Sequence, residues 1–364
     1  MPQESKPVYY RDYLQLDTLL NAQETESAKR GNEAHEEMLF IIVHQTYEMW
    51  FKQILHEIDS IMELFSNDHV AESGVATAFQ RVQRINRILE LLIDQFKIME
   101  TMTPMEFMNF RDYLNPASGF QSMQFRLLEI KLGLIGHDRM STDKGILSRL
   151  DERDGEAIKK VLQAPTLFML IERWLEKMPF METEGYAFWT EYRNAVHTMF
   201  ERDRKAIRYI HPLTPEEIDQ KLKQTDIIEK SFNALFDEEE YKKAQENGEC
   251  RLSQRASLAA IFLSLYQEYP LLNVPFRLLD SIVELDRNLS FWRYKHGMMV
   301  TRMIGQRIGT GGSSGADYLL QTAMRNRIFK DFASINSYLI PGREVPPLPE
   351  NISKKLQFVF DFER

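Results

Sequence analysis

The chain has 364 residues, 43% of them apolar and 27% charged, an ordinary balance for a soluble globular protein with room for a large core. A formal charge of −9, with no basic stripe carrying interleaved aromatics, argues against a nucleic-acid partner. No apolar run approaches the roughly 20 residues of a membrane span, and MPQESKPVYY lacks the regions of a signal peptide, so no membrane association and a cytoplasmic location are expected.

Helical periodicity dominates and predicts an all-α fold. Residues 8–22 form a short amphipathic piece in which Tyr9, Tyr10 and Tyr13 precede Leu14, Leu16 and Leu19. A segment so aromatic, followed by the polar ETESAKRGNEA, is expected to dock, either on its own subunit or on a neighbour. Residues 35–65 read as a strong helix, with Phe40, His44, Tyr47, Phe51, Ile58 and Phe65 on one face and Glu48, Lys52, His56 and Asp59 on the solvated side. Another helix covers 75–100. Thr103 and Glu106 then make a capping box, Pro104 takes the first helical position, and Phe107, Phe110, Arg111 and Leu114 cluster on one side. A guanidinium on an aromatic face needs an anionic partner. An internal salt bridge to an acid such as Glu129 and a clamp for a substrate carboxylate are both open readings. That helix is expected to end at Asn115-Pro116, and Ser118-Gly119 makes a turn.

A polar stretch from 137 to 163 reads as surface loop and short helices. Residues of about 165–255 carry charge-rich amphipathic helices, expected to form a smaller helical subdomain. A core-type helix from Leu252 leads through Pro270 and Pro275 into a long helix from Asp280. There Ile282, Leu285, Leu289, Trp292, Met299, Val300 and Met303 fall in one arc, with His296 near its middle. This helix runs out into GTGGSSG, a flexible loop rich in hydroxyls. A helical tail follows at 316–340, then an extended closing arm. The best candidate strand, LQFVFDF, is short.

Two readings stand for His296: a satisfied core histidine, or an axial ligand to a heme iron, whose apolar face needs such a groove. His44 is a second histidine on an apolar stripe. The single Cys250 excludes an internal disulfide framework and a CxxCH heme attachment, and its polar setting is poor for a thiolate ligand. Any heme is therefore noncovalent. No histidine has Glu three residues before it, and HExxH is absent, which excludes a di-iron carboxylate bundle and a zincin. The glycine loop matches neither GxGxxG nor a P-loop, and GGSSG after a helix is no nucleophile elbow.

Several long segments, FIIVHQTYEMWFKQIL, METMTPMEFMNFRDYLNPASGFQSMQFRLLE, WRYKH, MIG and GTGGSSG, closely resemble the signature segments of the tryptophan 2,3-dioxygenase family. Weaker similarity runs from YRDYLQLDTLLNAQ to YLIP, with the poorest match from about 137 to 255. The resemblance implies a single all-α, helical-bundle heme domain over 1–364, assembled as a homotetramer with one noncovalent b-type heme per subunit. Its reaction would be the oxidation of L-tryptophan by O2 to N-formylkynurenine, the first step of the kynurenine route. It further implies that His296 is the axial ligand of the iron, with Trp292 and Ser118 near the heme. The FIIVH segment (Phe40, Ile41, Ile42, Val43 and His44) would contact substrate, with His44 the distal, catalytic histidine that accepts a hydrogen bond from the indole N–H. Phe107 would line the pocket, Arg111 would bind the carboxylate, and Thr310 would help close the site. Tyr10 and Tyr13 match residues inserted into a neighbour's active site. Lys295 stands where Asn is frequent in the family, a peripheral difference. Against this stand a heme carrier or sensor, which has no reason for an Arg on the pocket wall, a peroxidase, and a helical scaffold without heme.

Overall fold

The structure is a computed structural model that describes residues 7–134, 152–183, 185–210, 212–305, 307 and 315–358. In order, its longer helices are α1 (Glu36–Phe65), α2 (Glu72–Met99), α3 (Pro104–Arg111), α4 (Met123–Leu132), α5 (Glu152–Leu162), α6 (Leu167–Glu176), α7 (Phe188–Arg208), α8 (Pro215–Phe236), α9 (Glu238–Glu246), α10 (Gln254–Leu265), α11 (Pro270–Ile304), α12 (Gly315–Arg325) and α13 (Glu350–Leu356). The expected all-α fold is the observed one. One feature had no counterpart in the sequence reading, a two-residue hairpin in which Glu182-Thr183 pairs antiparallel with Tyr186-Ala187 through a turn where Gly185 has φ +77°.

α11 is the spine. It starts ten residues before the periodicity suggested, because Pro270 occupies the first helical position, where its missing N–H is an orphan anyway. Pro275 lies in the second turn, where it forgoes the bond to the Leu271 carbonyl. α11 packs along α2, where the Asn86 amide donates to the Ser281 carbonyl at 2.9 Å. α1 also packs on α2, where the Tyr47 hydroxyl donates to the Leu92 carbonyl at 2.9 Å, and its Tyr47 and Phe51 rings meet Trp292 of α11. Ile58, Val82, Leu92, Ile282 and Leu285 are fully or almost fully buried in this three-helix core.

α12 closes the bundle against α11 by two devices. At Gly297 an added Cβ would lie 3.0 Å from Leu320 Cγ, so the missing side chain lets the two helices approach closely. Farther along, fully buried Asp286 accepts from Arg327 Nε at 2.6 Å and from the Ile328 N–H at 2.8 Å, fixing the exit of α12.

Among the described residues the N-terminal segment is tied to α1 toward its inner end, where Gln45 donates to the Ala22 carbonyl at 3.0 Å and accepts from Gln23 at 2.7 Å. Buried Glu37 accepts from the backbone N–H groups of Glu26 and Ser27, at 2.8 and 2.9 Å. Upstream, two four-residue helical turns (Tyr10–Tyr13 and Leu16–Leu19) carry no buried residue.

Candidate active site

One cavity unites α1, α2, α3, α4, α11 and α12. Its walls are mostly aromatic and thioether side chains, including Phe40, Phe51, Phe96, Met99, Phe107, Phe125, Trp292, Met299 and Met303. The space free of atoms inside this lining, mouth included, is about 1590 Å³.

His296 enters from α11. Its ring lies 5.3 Å from Trp292 and is stacked at 5.9 Å on Phe96. Nδ1 is buried and has no hydrogen-bond partner, which leaves Nε2 as the nitrogen available to the cavity. Burial lowers the imidazole pKa to about 4, with nearby His44 adding to the effect, so the ring is neutral at physiological pH.

His44 enters from α1. It is packed closely by protein yet open to water through the cavity it lines, and burial lowers its pKa against opposing contributions from the Phe40 carbonyl and Glu48. Nδ1 lies 2.7 Å from the Phe40 carbonyl oxygen. A carbonyl only accepts, so the partner assigns the proton to Nδ1 and leaves a lone pair on Nε2. The ring of Phe40, one turn earlier, sits 4.1 Å from that of His44 and 5.6 Å from those of Phe107 and Phe110.

Arg111 is the last residue of α3 and also lines the cavity. The helix that carries it begins with the expected capping box: the Thr103 N–H donates to Glu106 Oε2 at 2.7 Å, and the Glu106 N–H to Thr103 Oγ1 at 3.3 Å. Ser118 lines the cavity while its hydroxyl accepts from the Phe120 N–H at 3.3 Å, capping a single turn.

The structure therefore brings together Phe40, His44, Phe107, Arg111, Ser118, Trp292 and His296. Ile41, Ile42 and Val43 do not line the cavity. They occupy the turn between Phe40 and His44, where Val43 is buried in the core and Ile42 is 43% exposed. Tyr10 and Tyr13 are each 75% exposed and stand outside the cavity of their own chain. Thr310 and the rest of the glycine loop before Gly315 lie outside the described residues.

Sequence reasoning missed several wall residues. Glu48, expected on the solvated side, lines the cavity and accepts from the Gln124 amide at 2.9 Å. Tyr318, Leu319 and Thr322 of α12, with Asn326 just past its end, form another part of the wall. Arg126 and Arg293 meet Glu129 beside them, at 2.8 and 2.9 Å. A charged residue on the apolar arc of α11 was the available signal for Arg293.

The family model described as tryptophan 2,3-dioxygenase matches residues 2–339. A protein of Alteromonas mediterranea named tryptophan 2,3-dioxygenase is 44% identical over 98% of this chain and 99% of its own length. Namesakes from Bdellovibrio bacteriovorus and Dictyostelium discoideum are also 44% identical, over 97% and 98% of this chain and 98% and 89% of theirs. With that likeness running nearly end to end, the chain belongs to the tryptophan 2,3-dioxygenase family.

Proposed function

We propose that this protein is a heme-dependent dioxygenase that opens the indole C2–C3 bond of L-tryptophan with O2 to give N-formylkynurenine. The observation that carries the reading is the convergence of two neutral imidazoles and the Arg111 guanidinium on a single aromatic-walled cavity.

The residues present fit a heme. His296 offers the cavity a single imidazole ligand, and a macrocycle would supply the rest of an iron's ligands there. His296 is neutral, as a ligand must be, and its surroundings are the apolar rings and thioethers that a porphyrin face requires. In this reading His296 holds the iron of one noncovalent heme b, and Trp292 and Ser118 flank it. When bound, ferrous heme supplies the reactivity toward O2, both of whose atoms enter the product.

The chain's own residues bind and orient the amino acid. Arg111 pairs with the carboxylate, and a planar fork suits that group. His44 Nε2, kept as an acceptor by the bond at Nδ1, takes the indole N–H and turns the C2–C3 edge toward the reacting centre. Phe40 and Phe107 hold the ring faces and exclude water. Indole is electron-rich, so His44 acts by positioning rather than as an obligatory base.

The reading extends to assembly. The exposed Tyr10 and Tyr13 support an N-terminal segment that reaches a neighbouring subunit's site within a homotetramer. No helix of the described residues is long and apolar enough to cross a membrane. A cytoplasmic location goes with an enzyme acting on a free amino acid.

The test is direct. Purified protein is expected to show a heme absorption spectrum and, once reduced, to convert L-tryptophan under air to N-formylkynurenine. Colourless protein that takes up no heme, or heme-loaded protein that yields no such product, overturns the reading.

A further inference from the structure

The charged side chains lining the cavity are Arg111, Arg126 and Arg293 against Glu48 and Glu129. Three of these form one buried group. Glu129, 1% exposed, accepts from Arg126 Nη1 at 2.8 Å and from Arg293 Nη2 at 2.9 Å. Arg293, 2% exposed, is further held by the Asn326 carbonyl at 3.1 Å.

Arg126 is held differently. It is 9% exposed, and Nη1 is its one hydrogen-bonding nitrogen among the described residues. Nε and Nη2 are left with donors to spare on a guanidinium that the surrounding protein has largely desolvated. Two cations on one carboxylate leave local positive charge in an apolar wall, which is costly unless an anion meets it. In the reading above, Arg111 takes the carboxylate of the amino acid. A b-type heme brings two more carboxylates, its propionates, into the same cavity.

We propose that Arg126, oriented by Glu129, is the anchor for a heme propionate in this cavity. The inference rests on the heme reading and deepens it, because it assigns the cofactor an orientation as well as an iron ligand. Arg293 stiffens the arrangement by holding the far oxygen of Glu129, so Arg126 meets its ligand as a preset fork.

The experiment compares uptake of hemin and of hemin dimethyl ester, whose propionates are blocked, by heme-free protein. The parent is expected to bind the diacid more tightly by about tenfold or more, as for loss of a charge-assisted pair at a desolvated site. In Arg126→Leu that preference is expected to shrink to about threefold or less, and in Arg126→Lys, which keeps the charge without the fork, to be partly kept. Undiminished discrimination in Arg126→Leu overturns the proposal, as does weakened tryptophan binding with discrimination intact, which would assign Arg126 to the substrate. Should Arg126→Leu fail to fold, the parent decides: equal affinity for acid and ester sinks the proposal while leaving the heme reading standing. Uptake of neither compound removes the heme reading itself.

Discussion

Replacing Gly297 with Ala tests how the cavity wall is set. The residue follows His296 on α11 and faces α12, where a new Cβ would stand 3.0 Å from Leu320 Cδ2 and Cγ and 3.3 Å from Leu319 Cβ. Carbon atoms in contact settle at about 3.5–4.0 Å, so each approach is short by several tenths of an ångström. The tip of Leu320 can swing aside, but Leu319 Cβ is fixed to its backbone, and α12 must retreat. Overpacking of this kind costs about 1–3 kcal/mol. Alanine in place of glycine inside a helix returns about 1 kcal/mol. The expected net is a loss of about 0–2 kcal/mol in urea unfolding, small enough for the variant to fold. The larger effect falls on the site, since Tyr318, Leu319 and Thr322 ride on the helix that moves and Asn326 follows its last residue. KM for L-tryptophan is expected to rise more than kcat falls. A variant stabilised by the full helix-propensity gain, with KM unchanged, would refute the close crossing as the determinant of that wall.

Arg111→Ala is expected to cost about 2–5 kcal/mol in kcat/KM for L-tryptophan, and tryptamine, which lacks the carboxylate, is expected to lose far less. An unchanged KM for tryptophan would remove the clamp. His296→Ala is expected to purify without heme colour, whereas His44→Ala keeps the colour and a reduced turnover. A His44→Ala enzyme as inactive as His296→Ala, with heme still bound, would mean that His44 does more than position the indole. Away from the site, burial raises the Glu172 carboxyl above its ordinary value of 4.5, with Glu176 adding to the shift and the Ser253 N–H, 2.7 Å away, opposing it. The folded chain therefore keeps a proton that the unfolded chain has released, and stability falls as pH rises from about 4.5 through the raised value. Glu172→Gln keeps an oxygen for Ser253 and removes the titration. Its stability relative to the parent is expected to be higher at pH 7 than at pH 4, and an equal difference at both, in urea titrations, would contradict the assignment.

The helices were legible because their signals are local. The capping box at Thr103 and Glu106, the apolar arc of α11 and the stripe of α1 each lie within one element, and the structure keeps all three. His296 and His44 were legible for the same reason, since an imidazole in the middle of an apolar stripe stands out against a period of 3.6. The boundary at Pro270 was not, because proline reads as a break until the first turn of a helix is known to begin there.

What stayed hidden depends on contacts between elements distant in the chain. Glu129 joins Arg126 three residues away and Arg293 across 164 residues, and nothing in either local pattern announces the second bond. Glu48 was placed on a wet face by the wheel of α1, yet Gln124 reaches it from α4 and makes that face part of the cavity wall. Gly297 carries no signal within α11 itself, and its role shows only where Leu319 and Leu320 pack against it. A helix wheel reports which side of one element is apolar. It cannot report which other elements arrive there, and a site for a large planar cofactor is made of those arrivals. The iron ligand was therefore readable from one helix, whereas the groups proposed to orient the macrocycle required the assembled bundle.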